Sequence, residues 1–352
     1  MSTDVLEILR APEMTKICAP MVRYSKLPFR SLVRRYNCDI CFTPMILANS
    51  FVQSAEAREN EFTTNSEDKP LIVQFAAKDP IDFADATELV APYCNGVDLN
   101  CGCPQRWAMH DGYGASLLEK PELVKDLVRQ VKNRISAPFT VSVKIRLLKD
   151  IKKSIQFCQI LEHAGVSFLT VHARTPQMRK EPIDLEGLKL VRDCVKIPII
   201  ANGNVKSLRE AEHLYEESKC QGVMVANGLL KNPALFTGTS VTPISCVQDW
   251  LNITSIIPTN FLTFHHHLIF MLEKVLPYDE RMLFNCLKED KAQNFIESYY
   301  GIKPQYSPEL EDSLRPTTCD YTAFFQMKHQ KPKNNILMSG DNDDKTQITV
   351  AC

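Results

Sequence analysis

Eight short apolar segments recur through the first part of the chain, with helix-like segments between them. Such segments are typical of strands buried on both faces, and helices between them favour parallel pairing. Eight strand–helix units over roughly 230 residues predict an α/β fold, a (β/α)8 TIM barrel. A doubly wound sheet is the alternative, but no Gly-rich dinucleotide motif follows the first segment. The segments are 14–19, 39–45, 70–76, 96–100, 139–146, 167–172, 197–201 and 222–226.

The chain changes character near residue 240, where the strand-like segments stop. Helical patterns follow over 243–256, 261–276 and 279–301, and the sequence beyond 307 is polar and irregular. We therefore predict a barrel domain over 1–239, an all-helical C-terminal domain over 240–307 and a disordered tail over 308–352.

Composition narrows the possible partners and location. The net charge of −1 predicts no general attraction to nucleic acid or acidic membranes, so such binding needs a local patch. No apolar run reaches the ~18 residues of a membrane span. Thirteen cysteines without a recognisable secretory signal favour reduced thiols, so we expect a cytoplasmic, or nuclear, protein. Cys38 and Cys41 are spaced like metal ligands, but no second pair matches them, and we expect no metal site.

Polar residues cluster where the predicted strands end, which is where a TIM barrel carries its active site. Each has an ordinary explanation taken alone, such as a strand cap, a turn or a core histidine. Their joint placement at successive strand ends favours a shared site. In chain order the ends carry Pro20 with Met21, Pro44 with Met45, Gln74, Asn100 with Cys103, Lys144 with Arg146, His172 with Arg174, Asn202 with Gly203, and Asn227 with Gly228.

The last two strand ends predict a phosphate site. Asn202-Gly203-Asn204 and Ala226-Asn227-Gly228 follow the seventh and eighth strands, whose loops commonly hold phosphate in this fold. Small residues there let backbone N–H groups approach an anion. Gln74, Lys144 and His172 around the same mouth match the carbonyls and ring nitrogens of a flavin.

Cys103 is the candidate reactive group. It lies in Asn100-Cys101-Gly102-Cys103-Pro104, directly after the fourth strand. A thiol is protonated at neutral pH in its ordinary state and can serve as a general acid. The alternative is that Cys103 simply packs in the interior, as free cysteines often do.

These residues together resemble the tRNA-dihydrouridine synthase family. The matching motifs are Ala19-Pro20-Met21, Gln74, Asn100-x-Gly-Cys-Pro104, Lys144-x-Arg146, His172-x-Arg174-Thr175 and Asn202-Gly203-Asn204, in order over about residues 14–300. The segment 261–268 resembles the family's RNA-binding helical domain, and the similarity is strongest to the eukaryotic branch that acts at D-loop positions 20a and 20b.

The resemblance implies an enzyme that reduces uridine to 5,6-dihydrouridine in the tRNA D-loop. It implies FMN as cofactor, NADPH or NADH as reductant, tRNA as partner, and a monomer that binds neither membrane nor metal. Cys103 is then the acid that protonates C5 while hydride goes to C6, and Asn100, Arg146 and Arg174 bind substrate. The implied FMN contacts are Ala19, Pro20, Met21, Gln74, Lys144, His172, Asn202, Gly203, Asn204, Ala226 and Asn227.

Further basic residues are candidate phosphate contacts for the RNA. They lie near the first loop and near the sixth. For Arg30 and Arg34 the alternative is a solvated helix face. The set is Arg23, Lys26, Arg30, Arg34, Arg35, Arg174, Arg179 and Lys180.

Two departures keep other functions open. Members of the family often carry Gly-Arg where this chain has Ala226-Asn227, and the segment 240–310 holds fewer Lys and Arg than Asp and Glu. The alternatives are an FMN-dependent reductase of a small pyrimidine-like substrate and a flavin-deficient tRNA-binding protein. A metal-dependent hydrolase is disfavoured because the strand ends lack clustered His and Asp.

Overall fold

Parallel strands form a closed barrel in this computed structural model, which describes residues 4–136, 138–288 and 290–329. Strands β1 and β9 pair at one junction, and β2 pairs with both β1 and β4, which closes the ring. The TIM-barrel prediction is confirmed. The strands are β1 (Thr15–Cys18), β2 (Ile40–Phe42), β3 (Ile46–Leu47), β4 (Leu71–Ala76), β5 (Gly96–Cys101), β6 (Thr140–Arg146), β7 (Phe168–His172), β8 (Ile199–Asn202) and β9 (Gly222–Val225).

The second predicted segment is broken into two strands. Thr43, Pro44 and Met45 separate β2 from β3, and β3 pairs only with β4, at Ile46↔Phe75 and Leu47↔Ala76. Proline has no N–H for a sheet ladder, which explains the interruption. The barrel wall therefore still counts eight strands, with β3 as an extension at its rim.

Helices surround the barrel, and their starts follow the sequence closely. Asp79, Asp150, Asp184 and Ser207 accept hydrogen bonds from first-turn N–H groups of the helices they precede. The helices are α1 (Val5–Arg10), α2 (Leu27–Arg34), α3 (Ala48–Gln53), α4 (Ala55–Glu61), α5 (Pro80–Val90), α6 (Arg106–His110), α7 (Pro121–Arg134), α8 (Ile151–His163), α9 (Leu185–Asp193), α10 (Leu208–Ser218) and α11 (Asn227–Lys231).

The helices after residue 240 belong to the same compact unit as the barrel, which extends to Cys319. The predicted domain boundary at 240 stays a prediction. Throughout the described ranges, no helix is long and apolar enough to cross a membrane. These later helices are α12 (Ile244–Ile256), α13 (Phe261–Leu272), α14 (Tyr278–Asn285), α15 (Asp290–Tyr300) and α16 (Pro308–Leu314).

The disordered tail was predicted to start at residue 308, but Pro308–Leu314 form helix α16. Ser307 caps this helix, Leu314 is buried, and Asn65 Nδ2 donates to Leu314 O at 3.2 Å. Residues 308–319 are therefore folded, because a barrel loop supplies partners that the local sequence does not reveal. A second unit begins at Asp320 and contains α17 (Thr322–His329). Residues 330–352 of the predicted tail lie outside the described residues.

His267 of α13 joins the later helices to the barrel. Its ring stacks on Phe29 with 4.6 Å between centroids, and Trp250 packs at the same centroid distance. His267 Nε2 donates to the carbonyl of Tyr24, in the loop after β1, at 3.2 Å. The side chain is fully buried, and burial lowers its pKa to about 3. His267 is therefore neutral where α13 packs against the barrel.

Candidate active site

A cavity of about 870 Å³ opens at the C-terminal ends of the strands. Its lining comes mainly from the ends of β1, β6, β7, β8 and β9 and from the loops that follow them. Most of the predicted site residues line it. They are Ala19, Pro20, Lys144, Arg146, His172, Arg174, Asn202, Gly203, Asn204, Ala226 and Asn227.

Four predicted residues lie outside the lining. Met21 is buried and its N–H donates to Ser25 Oγ at 2.9 Å, so it shapes the turn after β1. Gln74 and Asn100 lie in the barrel interior, and Cys103 lies on the loop after β5. The structure therefore brings together the predicted phosphate and cation residues. Cys103 is outside the lining but lies near enough to Lys144 and Arg146 to influence the pKa of each.

The cavity wall is strongly basic. Eight of its described lining residues are Lys or Arg, and none is Asp or Glu. Lys231 pairs with Glu273 at 2.7 Å, but the lining itself is of one sign. Such a cleft predicts an anionic ligand, since it concentrates the opposite charge. The basic residues are Lys144, Arg146, Arg174, Arg179, Lys180, Lys206, Lys231 and Lys274.

Lys144 lies deep in this wall. Its Nζ donates to Asn202 Oδ1 at 3.1 Å, and Asn202 Nδ2 donates to Met224 O at 2.8 Å, which fixes the amide. Burial lowers the pKa of Lys144 to about 8, with the charge of Arg146 adding to the shift. An anion beside Lys144 would raise this pKa again, because an opposite charge favours the protonated form.

His172 carries an unpartnered polar atom. Its Nε2 is buried and has no hydrogen-bond partner among the described residues. Burial lowers the pKa of His172 to about 2, and the charges of Lys144, Arg146 and Arg174 act in the same direction. A neutral imidazole with a free nitrogen is placed to exchange one hydrogen bond with a ligand.

The Asn202-Gly203-Asn204 turn packs directly against this histidine. A Cβ added at Gly203 would lie 2.7 Å from Ile183 Cγ2 and 3.8 Å from His172 Nε2. Asn204 adopts φ 55°, a left-handed conformation that Asn tolerates better than most residues. Gly203 and Asn204 therefore suit the turn, and all three of its residues line the cavity.

Arg146 and Arg174 hold the loops at the cavity rim. Arg146 Nε donates to Gly102 O at 3.0 Å and Arg146 Nη1 to Thr175 O at 3.0 Å. Arg174 Nε donates to Glu181 O at 2.6 Å. These two of the three predicted substrate residues thus line the cavity and also tie the loops after β5 and β7 in place.

A chain of hydrogen bonds runs from the barrel interior to the cysteine loop. Gln74 Nε2 donates to Asp98 Oδ2 at 2.8 Å, and Asn100 Nδ2 donates to Gln74 Oε1 at 2.9 Å. Asn100 Oδ1 accepts from the N–H of Cys103 at 2.9 Å. Asp98 was missed by the sequence analysis. A lone carboxylate among the apolar residues of a buried strand was the available signal.

Cys103 is half-buried and packs against Ala76, Ala108 and Tyr113. Its carbonyl accepts from Ala115 N at 2.9 Å, where Gly114 adopts φ +61°. A Cβ at Gly114 would lie 2.6 Å from Cys103 O, so this glycine permits the close approach. Cys101 is fully buried on β5, as expected of a packing residue.

Three of the basic residues predicted near the first loop, Arg30, Arg34 and Arg35, form ion pairs within the protein. Asp68 is buried and binds both Arg30, at 2.7 Å, and Arg34, at 3.1 Å. Although burial raises the pKa of Asp68, the two guanidinium charges hold it below its usual range. Arg30 is 1% exposed, so the predicted phosphate contact and the alternative of a solvated face are both wrong for it. Arg35 pairs with Asp249.

Within the described part of the chain, no group of three or more His, Cys, Asp and Glu side chains is arranged to hold a metal ion. Cys38 Sγ and Cys41 Sγ lie 3.8 Å apart in the buried core beside β1 and β2.

Known proteins share this sequence and fold. The chain is 51% identical over 300 residues to a mouse protein named tRNA-dihydrouridine(20a/20b) synthase [NAD(P)+]-like, covering 85% of this chain and 93% of that protein. It is 42% identical over 313 residues to the Schizosaccharomyces pombe tRNA-dihydrouridine(20a/20b) synthase [NAD(P)+], covering 89% and 96%. The old yellow enzyme from Trypanosoma cruzi shares the fold, with a TM-score of 0.50 and 11% identity over 77% of this chain and 99% of that one.

The sequence model of the dihydrouridine synthase family matches residues 17–273, which covers the whole barrel wall from Ile17 onward and the helices as far as α13. The chain therefore belongs to the dihydrouridine synthase family.

Proposed function

We propose that this protein reduces uridine to 5,6-dihydrouridine in the D-loop of tRNA, with FMN as cofactor and NADPH or NADH as reductant. The observation that carries the proposal is the basic cavity at the strand ends, with the Cys103 loop beside it, in a member of this family. Positions 20a and 20b are the proposed targets, since the mouse and fission yeast relatives are named for them.

The cavity residues fit FMN. A flavin ring presents carbonyl and nitrogen atoms, and Lys144 Nζ and the free His172 Nε2 offer matching polar atoms. The Asn202-Gly203-Asn204 turn and Ala226-Asn227 line the cavity, and their backbone N–H groups would hold the phosphate. Asn227 offers no charge there, so the surrounding lysines and arginines have to balance the phosphate. When bound, FMN supplies the hydride that reduces C6 of the uracil.

Cys103 would supply the proton. Its S–H bond breaks as a C–H bond forms at C5, and solvent returns a proton to the thiolate. Asn100 uses one of its two amide hydrogens on Gln74, which leaves the other for a uracil carbonyl. The target base has to leave the tRNA stack to reach this position. The loop 103–114 is the proposed lid that brings the thiol to the base.

The rim of the cavity would position the RNA. Arg179, Lys180, Lys206, Lys231 and Lys274 are exposed lining residues, and such side chains commonly contact phosphates without reading sequence. They come from the loops after β7 and β8, from α11 and from the segment after α13. The helical region contributes Lys274 from a stretch that is not basic overall, so the charge for tRNA is local. We propose a monomer in the cytoplasm or nucleus.

The direct test uses the purified full chain and unmodified tRNA transcripts. We expect a yellow protein that binds FMN and forms dihydrouridine at 20a and 20b when NADPH or NADH is supplied, measured by mass spectrometry of nuclease fragments. A transcript with cytidine at both positions is the matched control. A protein that stays colourless after addition of FMN contradicts the proposal. Reduction of free pyrimidines, with tRNA unchanged, would instead indicate a small-molecule reductase.

A further inference from the structure

Asp98 is a buried carboxylate in the middle of the barrel. It lies on β5 and is fully buried, level in the sheet with Gln74 of β4 and Ser142 of β6. Ser142 Oγ donates to Asp98 Oδ1 at 2.7 Å, and Gln74 Nε2 donates to Asp98 Oδ2 at 2.8 Å. Both carboxylate oxygens therefore have a donor from a neighbouring strand. Burying an isolated carboxylate costs folding free energy, so Asp98 is expected to have a specific function in the structure.

The carboxylate decides which way two amides point. An ionised carboxylate only accepts, so Gln74 has to present Nε2 to Asp98 and Oε1 to the opposite side. There Oε1 accepts from Asn100 Nδ2 at 2.9 Å. Asn100 Oδ1 is thereby turned toward the loop after β5, where it accepts from the N–H groups of Gly102, at 3.2 Å, and Cys103, at 2.9 Å. An amide without such an anchor has two nearly isosteric orientations.

We propose that Asp98 is a positioning residue that acts through Gln74 and Asn100 to hold the Cys103 loop. The positioning itself concerns only the fold of this chain. Its consequence for catalysis rests on the proposed function, in which Cys103 donates the proton.

The charged and titratable groups near Asp98 come from its own strand and from β6. Lys144 opposes the rise in the pKa of Asp98, and Asp98 in turn opposes the fall in the pKa of Lys144. Cys101, on the same strand, has its pKa raised first by burial and then by the charge of Asp98. Burial raises the pKa of Asp98 itself to about 6, against the bonds from Ser142 and Gln74. At neutral pH the carboxylate is therefore mostly ionised.

Three variants separate the hydrogen bond from the charge. Asp98→Asn can keep an oxygen toward Gln74 while its NH₂ donates to Ser142 Oγ, so it loses only the charge. Asp98→Leu removes the acceptor as well. Ser142→Ala is the matched control, because it removes the other partner of the same carboxylate and leaves the Gln74 bond in place. The readout is the rate at which iodoacetamide alkylates Cys103 in the full chain, with exposed Cys194 and Cys286 as internal references.

We expect Cys103 of Asp98→Leu to be alkylated about tenfold faster than in the wild type, the ratio that corresponds to losing one hydrogen bond. Asp98→Asn and Ser142→Ala are expected to stay within about twofold. An unchanged rate in a folded Asp98→Leu protein overturns the positioning role. If Asp98→Leu does not fold, Gln74→Leu takes its place, because the proposal requires the same rise when the amide itself is removed.

Alkylation of Cys103 needs neither cofactor nor tRNA, so an inactive protein with the expected alkylation rates contradicts the proposed function and leaves the positioning role standing.

Discussion

Lowering the pH from 7.5 to 5 is expected to destabilise the protein through His267, and His267→Gln is expected to remove that part of the loss. The ring is fully buried against Phe29 and Trp250, and burial lowers its pKa to about 3. An unfolded histidine has a pKa of ~6.5. The unfolded chain therefore takes up the proton first, and stability falls as the pH drops below that value.

The size of the effect follows from the two pKa values. At pH 5 the solution is about 1.5 pH units below the pKa of the unfolded histidine, while the buried ring remains neutral. The resulting loss of unfolding free energy is ~2 kcal/mol, at ~1.36 kcal/mol per unit. Glutamine retains an N–H for the carbonyl of Tyr24 and does not titrate. Other titrating groups contribute equally to both proteins, so the comparison isolates His267.

The assay is urea unfolding of the cofactor-free chain at pH 7.5 and pH 5. The wild type should lose ~2 kcal/mol more than His267→Gln between the two conditions. His213→Gln is the control, because His213 is exposed on α10 and its replacement should leave the wild-type loss intact. An equal loss in the wild type and His267→Gln refutes a neutral buried histidine at this joint.

Two further predictions concern the thiols and the buried ion pair. Cys103→Ala should keep bound flavin and lose about 10²–10⁴-fold in dihydrouridine formation, the usual contribution of a general acid. Cys101→Ala should reduce the activity far less, because Cys101 is a buried packing residue. Similar losses in both variants contradict the assignment. Asp68→Asn should lower the unfolding free energy by about 3–5 kcal/mol, because it leaves Arg30 buried without its counter-charge. The control Glu122→Gln breaks an exposed pair with Lys125 and should lower it by less than about 1 kcal/mol. A small loss for Asp68→Asn would show that water reaches the guanidinium.

Local sequence patterns predicted most of the barrel. The eight predicted apolar segments all overlap strands of the barrel, and helices lie between them. The predicted strand ends were accurate enough to identify Lys144, His172 and Asn202, which line one cavity. These features depend on residues close together in the chain, or on the rule that parallel strands end at one face.

The features that the sequence did not reveal depend mainly on contacts between residues far apart in the chain. Arg30 and Arg34 form an apparent basic helix face until Asp68 is brought against it. Helix α16 looked like the start of a tail, but Asn65 binds Leu314 from 249 residues away. Cys103 remains the candidate acid, but its packing against Ala108 and Tyr113 depends on a loop conformation that the sequence does not reveal.

The sequence by itself determined the fold class, the family and the residue types of the site, because apolar periodicity and short motifs are local properties. The tertiary structure alone decided the protonation of the site and the direction of its amides. Those properties depend on burial and on register between strands, which place Asp98 level with Gln74 and Ser142. The same register turns Asn100 toward the N–H of Cys103, so the position of the thiol is set from inside the barrel.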